Sequence, residues 1–312
     1  MTLFGDYTWR RDRYDRSIID SRTSPVGDIS QTTYGLGRPV SHTFRLGMNV
    51  NLSSRDVIEV AGSYNRRRFK RNERVESQTH DISGMETASY ERDRDADAKE
   101  NMWEGSFRYS HTYGEENEFG VDYTYSSESE DEINHYTTTE QRVMSKNDEW
   151  VWDANYIHAA RVFWHHRLSG NVKLVSGYEL EHLRAEQNYH VSDWNGAEFI
   201  PNLDRTSDTH YRLLNSLYAT LEMHFGKWNL LAGARGEYTG IRNDLHNTST
   251  DLRRHYFNLY PTLHISHPLG SGSEVMLSYS LRVNRPDGSD MNPFAERINP
   301  LSLEAGNPDL KP

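Results

Sequence analysis

The 312-residue chain contains no cysteine, which removes structural disulfides and thiolate chemistry. It is also short of apolar residues. The hydrophobic fraction is 35% and the mean hydropathy −0.87, where a water-soluble globular domain carries roughly 45–50% apolar residues. A conventional two-layer core is therefore thinly supplied. No stretch approaches the ~18 consecutive apolar residues of a membrane-spanning helix. A basic excess is missing too: 46 acidic against 35 basic residues leave a net charge of −11, which argues against nucleic acid as a partner. The opening "MTLFGDYTWRRDRYDR" lacks the basic head, apolar run and cleavage site of a signal peptide, which bears on export only if Met1 is a true start. There is no Gly-x-Ser-x-Gly elbow, P-loop or dinucleotide fingerprint, and no zinc-type Cys/His spacing. The expectation is a chain that is not an enzyme, with no catalytic residue, no cofactor and no resident metal.

Aromatic residues are abundant: 12% of the chain, with 19 Tyr, 7 Trp and 10 Phe. A disordered chain would be poor in them. They fall in a pattern of period two, which places every second residue on one face of a strand. In "HTFRLGMNVNL", His42, Phe44, Leu46, Met48, Val50 and Leu52 share a face, with Thr43, Arg45, Gly47, Asn49 and Asn51 opposite. "SSRD" turns at Ser53 to Asp56, and "VIEVAGSYN" returns with Ile58, Val60, Gly62 and Tyr64 aligned. "MWEGSFRYSHTY" and "EFGVDYTYS" repeat the unit around a turn at "GEEN". A less regular pair follows around Trp152 to Phe163 and Val172 to Glu181. "SLYATLEMHF" turns at Gly226–Lys227 into "WNLLAGARGEYT", and "NLYPTLHIS" leads through a Pro/Gly/Ser turn into "EVMLSYSLRVN".

About eleven strands of roughly ten residues result. The expected fold is all-β: an antiparallel transmembrane β-barrel fragment of meandering strands. Ten strands form five hairpins, and Leu3 to Arg10 is left without a hairpin partner. Connections inside hairpins are short. Those between hairpins are long and polar: Arg11 to Pro39, Arg67 to Glu100, Ser127 to Glu149, His182 to His210 and Arg242 to His255. Long structureless loops are uncommon in compact soluble domains, and short turns at one rim with long loops at the other suit an outer-membrane barrel. Trp9, Trp103, Tyr113, Tyr125, Trp152, Trp164, Trp228 and Tyr238 at strand ends fit interfacial girdles.

A closed barrel satisfies its backbone between strands, so it needs apolar residues only on the lipid side. That reconciles a membrane protein with a negative mean hydropathy. Arg45, Glu59, Arg108, Asp122, Lys173, Glu179, Arg235, Glu237 and Arg282 fall on the face predicted to line the lumen. Of these, Arg45, Arg108, Asp122, Arg235, Glu237 and Arg282 are the candidate substrate-contacting residues. A large soluble antiparallel β-protein that binds a ligand is the competing architecture.

The C-terminal third carries a resemblance. "NLYPTL", "LSYSLRVNRP", "MNPF" and "GNPDLKP", in that order, with the hairpin "LYATLEMHFGKWNLLAGARGEYT" ahead of them, resemble the barrel of TonB-dependent outer-membrane receptors of the Bacteroidota type. The resemblance covers roughly Asn215 to Pro312; upstream, the hairpin rhythm alone supports it. It implies residues 1–312 as part of a barrel of about 22 strands, with an N-terminal plug, a TonB-contacting segment and the C-terminal strands lying outside the chain. The bacterial outer membrane, its lipid, the plug and the TonB system follow as location and partners. The implied function is active uptake of a small nutrient, an iron chelate, oligosaccharide or peptide. "DGSDMNPF" stands where the family has a tyrosine or tryptophan soon after "NRP". In such receptors "NPDLKP" leads into a further strand, so the chain is expected to be the middle of a protein. A passive pore or surface-assembly barrel without a plug is the alternative.

Two further motifs have simpler explanations. "DRDADAKENMWE" sets Asp93, Asp95, Asp97 and Glu104 at EF-hand positions, but Ala98 stands where the turn needs glycine, so a solvated acidic loop is expected. His165 and His166 are adjacent, and adjacent strand residues face opposite ways; His264 and His267 also differ in facing. His135, His190 and His210 are expected in loops; contact with a metal-chelate substrate is only the minor alternative there.

Overall fold

The computed structural model describes residues 1–312 except 115, 247–249, 271, 287, 293–295, 300–301, 308 and 311–312. The chain runs β1 (Thr2–Arg11), β2 (Tyr14–Ser24), β3 (Gly27–Asn51), β4 (Asp56–His80), β5 (Glu86–Tyr113), β6 (Asn117–Glu140), β7 (Val143–Ser169), β8 (Val172–Trp194), β9 (Phe199–Phe225), β10 (Trp228–Leu245), β11 (Thr250–Gly270) and β12 (Ser273–Ser280). A single helical turn, α1 (Gly288–Met291), and a short pair, β13 (Glu296–Asn299) and β14 (Ser302–Glu304), follow. Strands β3 to β12 pair in chain order, all antiparallel, in one 12-stranded sheet that does not close. The meander matches the expected fold.

Two expectations are corrected. The first strand does not lack a partner: β1 pairs with the lower half of β3, from Thr2↔Asn49 to Arg11↔Val40. Strand β2 pairs with the upper half of β3, from Tyr14↔Gly37 to Ser24↔Gly27. Together β1 and β2 make one column beside β3, so the twelve strands occupy eleven columns. The long polar loops are also not loops. They are the upper halves of strands of up to 28 residues, and tight turns close the sheet at both rims. The upper turn after β6 has Gln141 and Arg142 both at positive φ (46° and 72°), as a two-residue hairpin turn requires. Sequence periodicity misses these halves because water bathes both of their faces, so no apolar alternation marks them. Backbone pairing nevertheless satisfies the N–H and C=O groups of so long an excursion.

In the lower half the register aligns the apolar rows across the whole sheet. Tyr7, Phe44 and Tyr64 lie opposite one another, then Trp103. Phe107, Tyr123 and Ala160 continue one row, as do Val162, Tyr178, Leu217 and Leu259 through Gly236. These side chains are exposed: Leu46 at 62%, Leu217 at 67%, Leu277 at 63%. Buried Phe163, Ala98, Ile241 and Glu237 belong to the other face, which is therefore the concave one.

Aromatics border the apolar belt. At its lower edge the Trp164 indole N–H donates to the Tyr113 hydroxyl, and Trp228 lies 4.3 Å from the His267 ring. At its upper edge Tyr64 stacks on Trp103 at 4.1 Å, with Trp9 one same-face step above. Eight residues separate Trp164 from Tyr156 on β7, about 27 Å along a strand. Tilted, this suits an apolar band about 25 Å tall.

The lower turn forms as predicted at Ser53–Asp56. The Leu52 N–H donates to the Asp56 carbonyl at 2.9 Å, and the Ser53 hydroxyl donates to the Asp56 carboxylate at 2.5 Å. Gly226–Lys227 turns as expected. In "GEEN", Glu115 lies outside the described residues.

Strand β12 ends at Ser280, earlier than the alternation through Asn284 suggested. The chain then leaves the wall and folds over the concave face. Arg285 reaches Glu237, Met291 is buried, and the Asn292 amide contacts Gln187 of β8 at 3.4 Å. Within "GNPDLKP", Gly306 and Asn307 donate backbone hydrogen bonds to the carbonyls of Asn292 and Asp290. Arg254 holds the Asp309 carboxylate and the Leu310 carbonyl, both at 2.8 Å. The described part of this motif is a turn docked on β11 rather than the start of a strand.

Candidate functional site

The concave face of the lower wall carries a ladder of charge, built by strand register. Glu59, Arg108, Asp122, Arg161 and Glu179 are directly opposed on five successive strands, β4 to β8. Ser216 and Glu237 continue the row on β9 and β10. Opposite charges directly across a strand pair attract, and here they alternate. Arg108 reaches Glu118 at 3.2 Å and Asp122 at 3.7 Å. The Arg161 Nε donates to Asp122 at 2.8 Å. Arg235 lies 2.6 Å from both Glu179 and Glu237, and Arg285 closes the series on Glu237.

An aromatic ring braces the ladder. Phe163 is 2% exposed, with the guanidinium groups of Arg108 and Arg161 over its ring at 5.2 and 5.1 Å. The ring lies on Gly120, where an added Cβ would approach it to 2.3 Å. Gly120 therefore gives the ring its seat. Two shallow depressions flank the ladder. One of about 280 Å³ is bordered by Asp122, Arg161 and Glu179. The other, of about 470 Å³, is bordered by Tyr260, Glu237, Arg282 and Arg285.

Four of the six candidate residues thus come together: Arg108, Asp122, Arg235 and Glu237. Arg45 does not join them. It sits on the concave face in the row of Ser63 and Glu104 and borders another depression. Arg282 lies beyond the end of β12 and borders the larger ladder depression without an ion pair among the described residues. Arg161, Arg285 and Phe163 were not singled out by sequence. The opposite facing of His165 and His166 around the irregular β7 would have marked Arg161. Arg285 could not be read, because it lies just past the alternation that ends at Asn284, in a segment whose letters carry no strand pattern.

A second polar system occupies the concave face of the upper wall. Arg94 donates to Glu73 at 3.0 Å, Glu132 at 2.8 Å and Asn134 at 2.7 Å. Arg92 lies 3.7 Å from the centre of the Tyr136 ring and 3.3 Å from Glu149. Burial pushes the Tyr136 hydroxyl up to about 12 and raises the Glu149 carboxyl.

The acidic run expected as a loop lies in β5. Asp93 accepts from Arg74 at 2.8 Å and Asp97 from Arg68 at 2.9 Å, while Glu104 is on the opposite face, so the four carboxylates do not converge. The histidines expected in loops are also in strands. His135 contacts Asp148 at 2.8 Å, His190 stacks on Trp150 at 5.4 Å, and buried His210 meets Asn243 at 2.5 Å. Among the described residues no three His, Asp or Glu side chains converge as a metal site would need.

An apolar belt outside, a charged wall inside and unbroken antiparallel pairing are what a membrane-spanning barrel requires. The family model described as the outer membrane protein beta-barrel family matches residues 117–312. The chain belongs to this family. Its place is the bacterial outer membrane, which sets aside the soluble architecture. No curated protein matches the chain. Solved structures similar to it include the ferric citrate transporter FecA in the unliganded form, at 10% identity and a TM-score of 0.42, covering 86% of this chain and 42% of that one. The siderophore receptor PiuA from Acinetobacter baumannii matches at 11% identity and a TM-score of 0.44, covering 89% and 48%. The translocator domain of autotransporter NalP from Neisseria meningitidis matches at 14% and 0.29, covering 83% and 82%. The chain thus spans about half the length of the two receptors. At these scores the likenesses carry no argument about cargo.

Proposed function

We propose that this wall is part of the barrel of a TonB-dependent receptor that takes up a small nutrient across the outer membrane. The observation that carries the reading is the self-neutralised ladder on the concave face. Four guanidinium groups meet four carboxylates in two runs of contact, Glu118–Arg108–Asp122–Arg161 and Glu179–Arg235–Glu237–Arg285, set end to end by the register of Arg161 with Glu179. A wall of this kind presents many hydrogen-bonding groups but little net field. It suits the seat of a polar plug that must slide or be withdrawn, better than a charge-selective open pore, where one sign would dominate.

The sheet's open state supports the same reading. A membrane-spanning sheet must close, and eleven columns are half of a 22-stranded ring. The ordered motifs from "NLYPTL" to "GNPDLKP" point to the same receptors. In this reading the plug rests on the ladder, cargo binds the long upper wall, and TonB draws the plug aside. The wall positions and guides; it performs no covalent chemistry. The cargo is an iron chelate, an oligosaccharide or a peptide.

The test is genetic and physical. Cells lacking this protein and cells lacking TonB are grown on single limiting iron chelates, oligosaccharides and peptides. A shared, non-additive defect on one nutrient is the expected result. Uptake through this protein that persists without TonB, with steady conductance of the purified protein in planar bilayers, would establish the passive pore instead.

A further inference from the structure

Just above the aromatic edge of the apolar belt, the outer face of the wall gathers cations in a chain that is acidic overall. Arg66, Arg68 and Lys70 alternate along β4. Arg11 of β1, Arg38 of β3 and Lys99 of β5 join them through direct pairing: Arg11↔Val40, Val40↔Arg68 and Arg68↔Lys99 in one row, Arg38↔Lys70 in the next. With strands about 4.8 Å apart and same-face residues about 6.8 Å apart, the six lie within roughly 15 Å of one another. They border an outward-facing cleft of about 570 Å³ whose floor includes Trp9 and Val40.

Their charge is poorly compensated. Asp97 serves both Arg68, at 2.9 Å, and Lys70, at 3.9 Å. Asp131, opposite Lys99, is engaged by the Trp150 indole at 2.9 Å. Among the described residues no carboxylate lies within ion-pair distance of Arg11, Arg38, Arg66 or Lys99. The contrast with the ladder inside the barrel, where cations and carboxylates match, is sharp. Cations held together without partners repel one another, and the cost falls when an anion sits among them.

Height identifies the anion. The cleft is outside the barrel, so cargo in the lumen does not meet it. It begins at the row Trp9↔His42↔Arg66, where the belt ends, and rises from there. A lipid whose acyl chains lie against Phe44, Leu46 and Trp103 places its headgroup at this level. We propose that the cleft binds the phosphorylated headgroup of an outer-leaflet glycolipid, with Arg66, Arg68 and Lys99 as its main phosphate contacts and Trp9 packed against the base of the sugar. Guanidinium groups suit phosphate through paired hydrogen bonds.

The full-length protein, purified in detergent, is titrated with diphosphoryl lipid A, with the same lipid after enzymatic dephosphorylation, and with inorganic phosphate, and bound lipid is counted by native mass spectrometry. Diphosphoryl lipid A should bind at least tenfold more tightly than the dephosphorylated lipid, and millimolar inorganic phosphate should not displace it. The triple variant Arg66→Ser, Arg68→Ser, Lys99→Ser should bind about a hundredfold more weakly. The triple variant Arg13→Ser, Arg142→Ser, Lys146→Ser, which removes equal charge elsewhere, should bind as wild type does. Equal affinity for the two lipids, equal loss in both triple variants, or ready displacement by phosphate would each overturn the proposal. If the first variant fails to insert, the comparison of the two lipids on the wild-type protein decides alone.

Discussion

Met144 and Leu217 are almost equally exposed, at 64% and 67%, yet they face different solvents. Met144 lies near the top of β7, where the sheet is polar on both faces. Leu217 lies within the belt of β9, between Tyr178 and Gly236. The lower wall separates its faces, apolar outside and charged inside. The upper wall does not. One continuous hydrogen-bonded sheet therefore has two stability regimes. Lipid and register fix the lower half, and cross-strand ion pairs on both faces fix the upper half.

The largest expected effect breaks this contrast directly. Leu217→Arg places a charge in the belt and should cost about 2–4 kcal/mol. Met144→Arg, at matched exposure, should stay within about 0.5 kcal/mol. Reversible unfolding in lipid vesicles, followed by tryptophan fluorescence, measures both. Equal costs would mean that the exposed row of β9 does not face lipid.

Second comes the seat of Phe163. Gly120→Val forces the ring off its site and displaces the two guanidinium groups above it; overpacking of this kind costs about 1–3 kcal/mol. Gly105, also in the lower wall, has nothing within 4 Å of an added Cβ, and Gly105→Ala should be close to neutral. If the two variants unfold alike, Phe163 does not brace the ladder.

The ion pairs sharpen the comparison further. Asp122→Asn leaves Arg161 and Arg108 facing one another in a partly enclosed ladder and should cost about 1–2 kcal/mol. Arg74→Gln removes pairs to Asp93 and Glu91 on the open outer face of the upper wall. All three side chains there are about half exposed, and such pairs contribute about 0–1 kcal/mol. A double-mutant cycle with Arg161→Gln separates the pair from the two single losses; a coupling near zero would reduce the ladder to a row of solvated charges.

How much of this was legible follows the same division. Phe44, Leu46 and Val50 alternate with Arg45 and Asn49 because lipid and lumen lie on opposite sides, so β3 could be faced correctly from its letters. Arg108, Asp122, Arg235 and Glu237 were found for the same reason. From Arg67 to Glu100 the letters are mostly polar on both faces, with only scattered apolar residues such as Phe69, Val75, Ile82 and Met85, which is equally what a loop would show. Extended pairing there depends on partners such as Arg94 with Glu73 and Glu132, contacts set by long-range register. Arg285 was out of reach because it acts from a segment that leaves the sheet and returns over the concave face.

The smallest expected effect concerns the two rims. At the lower turn Asp56 accepts hydrogen bonds from Ser53, His111 and Tyr109, which lower its carboxyl to about 2. At the upper turn between β4 and β5, the Asp81 carboxylate accepts from the Ser83 hydroxyl at 2.6 Å and from the backbone N–H groups of Ser83 and Met85 at 2.8 and 3.0 Å, and is also lowered. Both are depressed acids, so each stabilises the folded turn fully above the ordinary carboxylate value of about 3.9. That contribution fades as pH falls through the lower folded value. Asp56→Asn should therefore flatten the decline in stability between about pH 4 and pH 2, leaving its slope above pH 5 unchanged. Asp81→Asn should remove the acid-side loss that begins below the ordinary carboxylate value while fraying only the upper turn, which hydrogen exchange at Ser83 and Met85 would register. A wild-type profile without a decline in this window would remove the carboxylates as rim clasps and leave turn geometry alone to hold both ends of the hairpins.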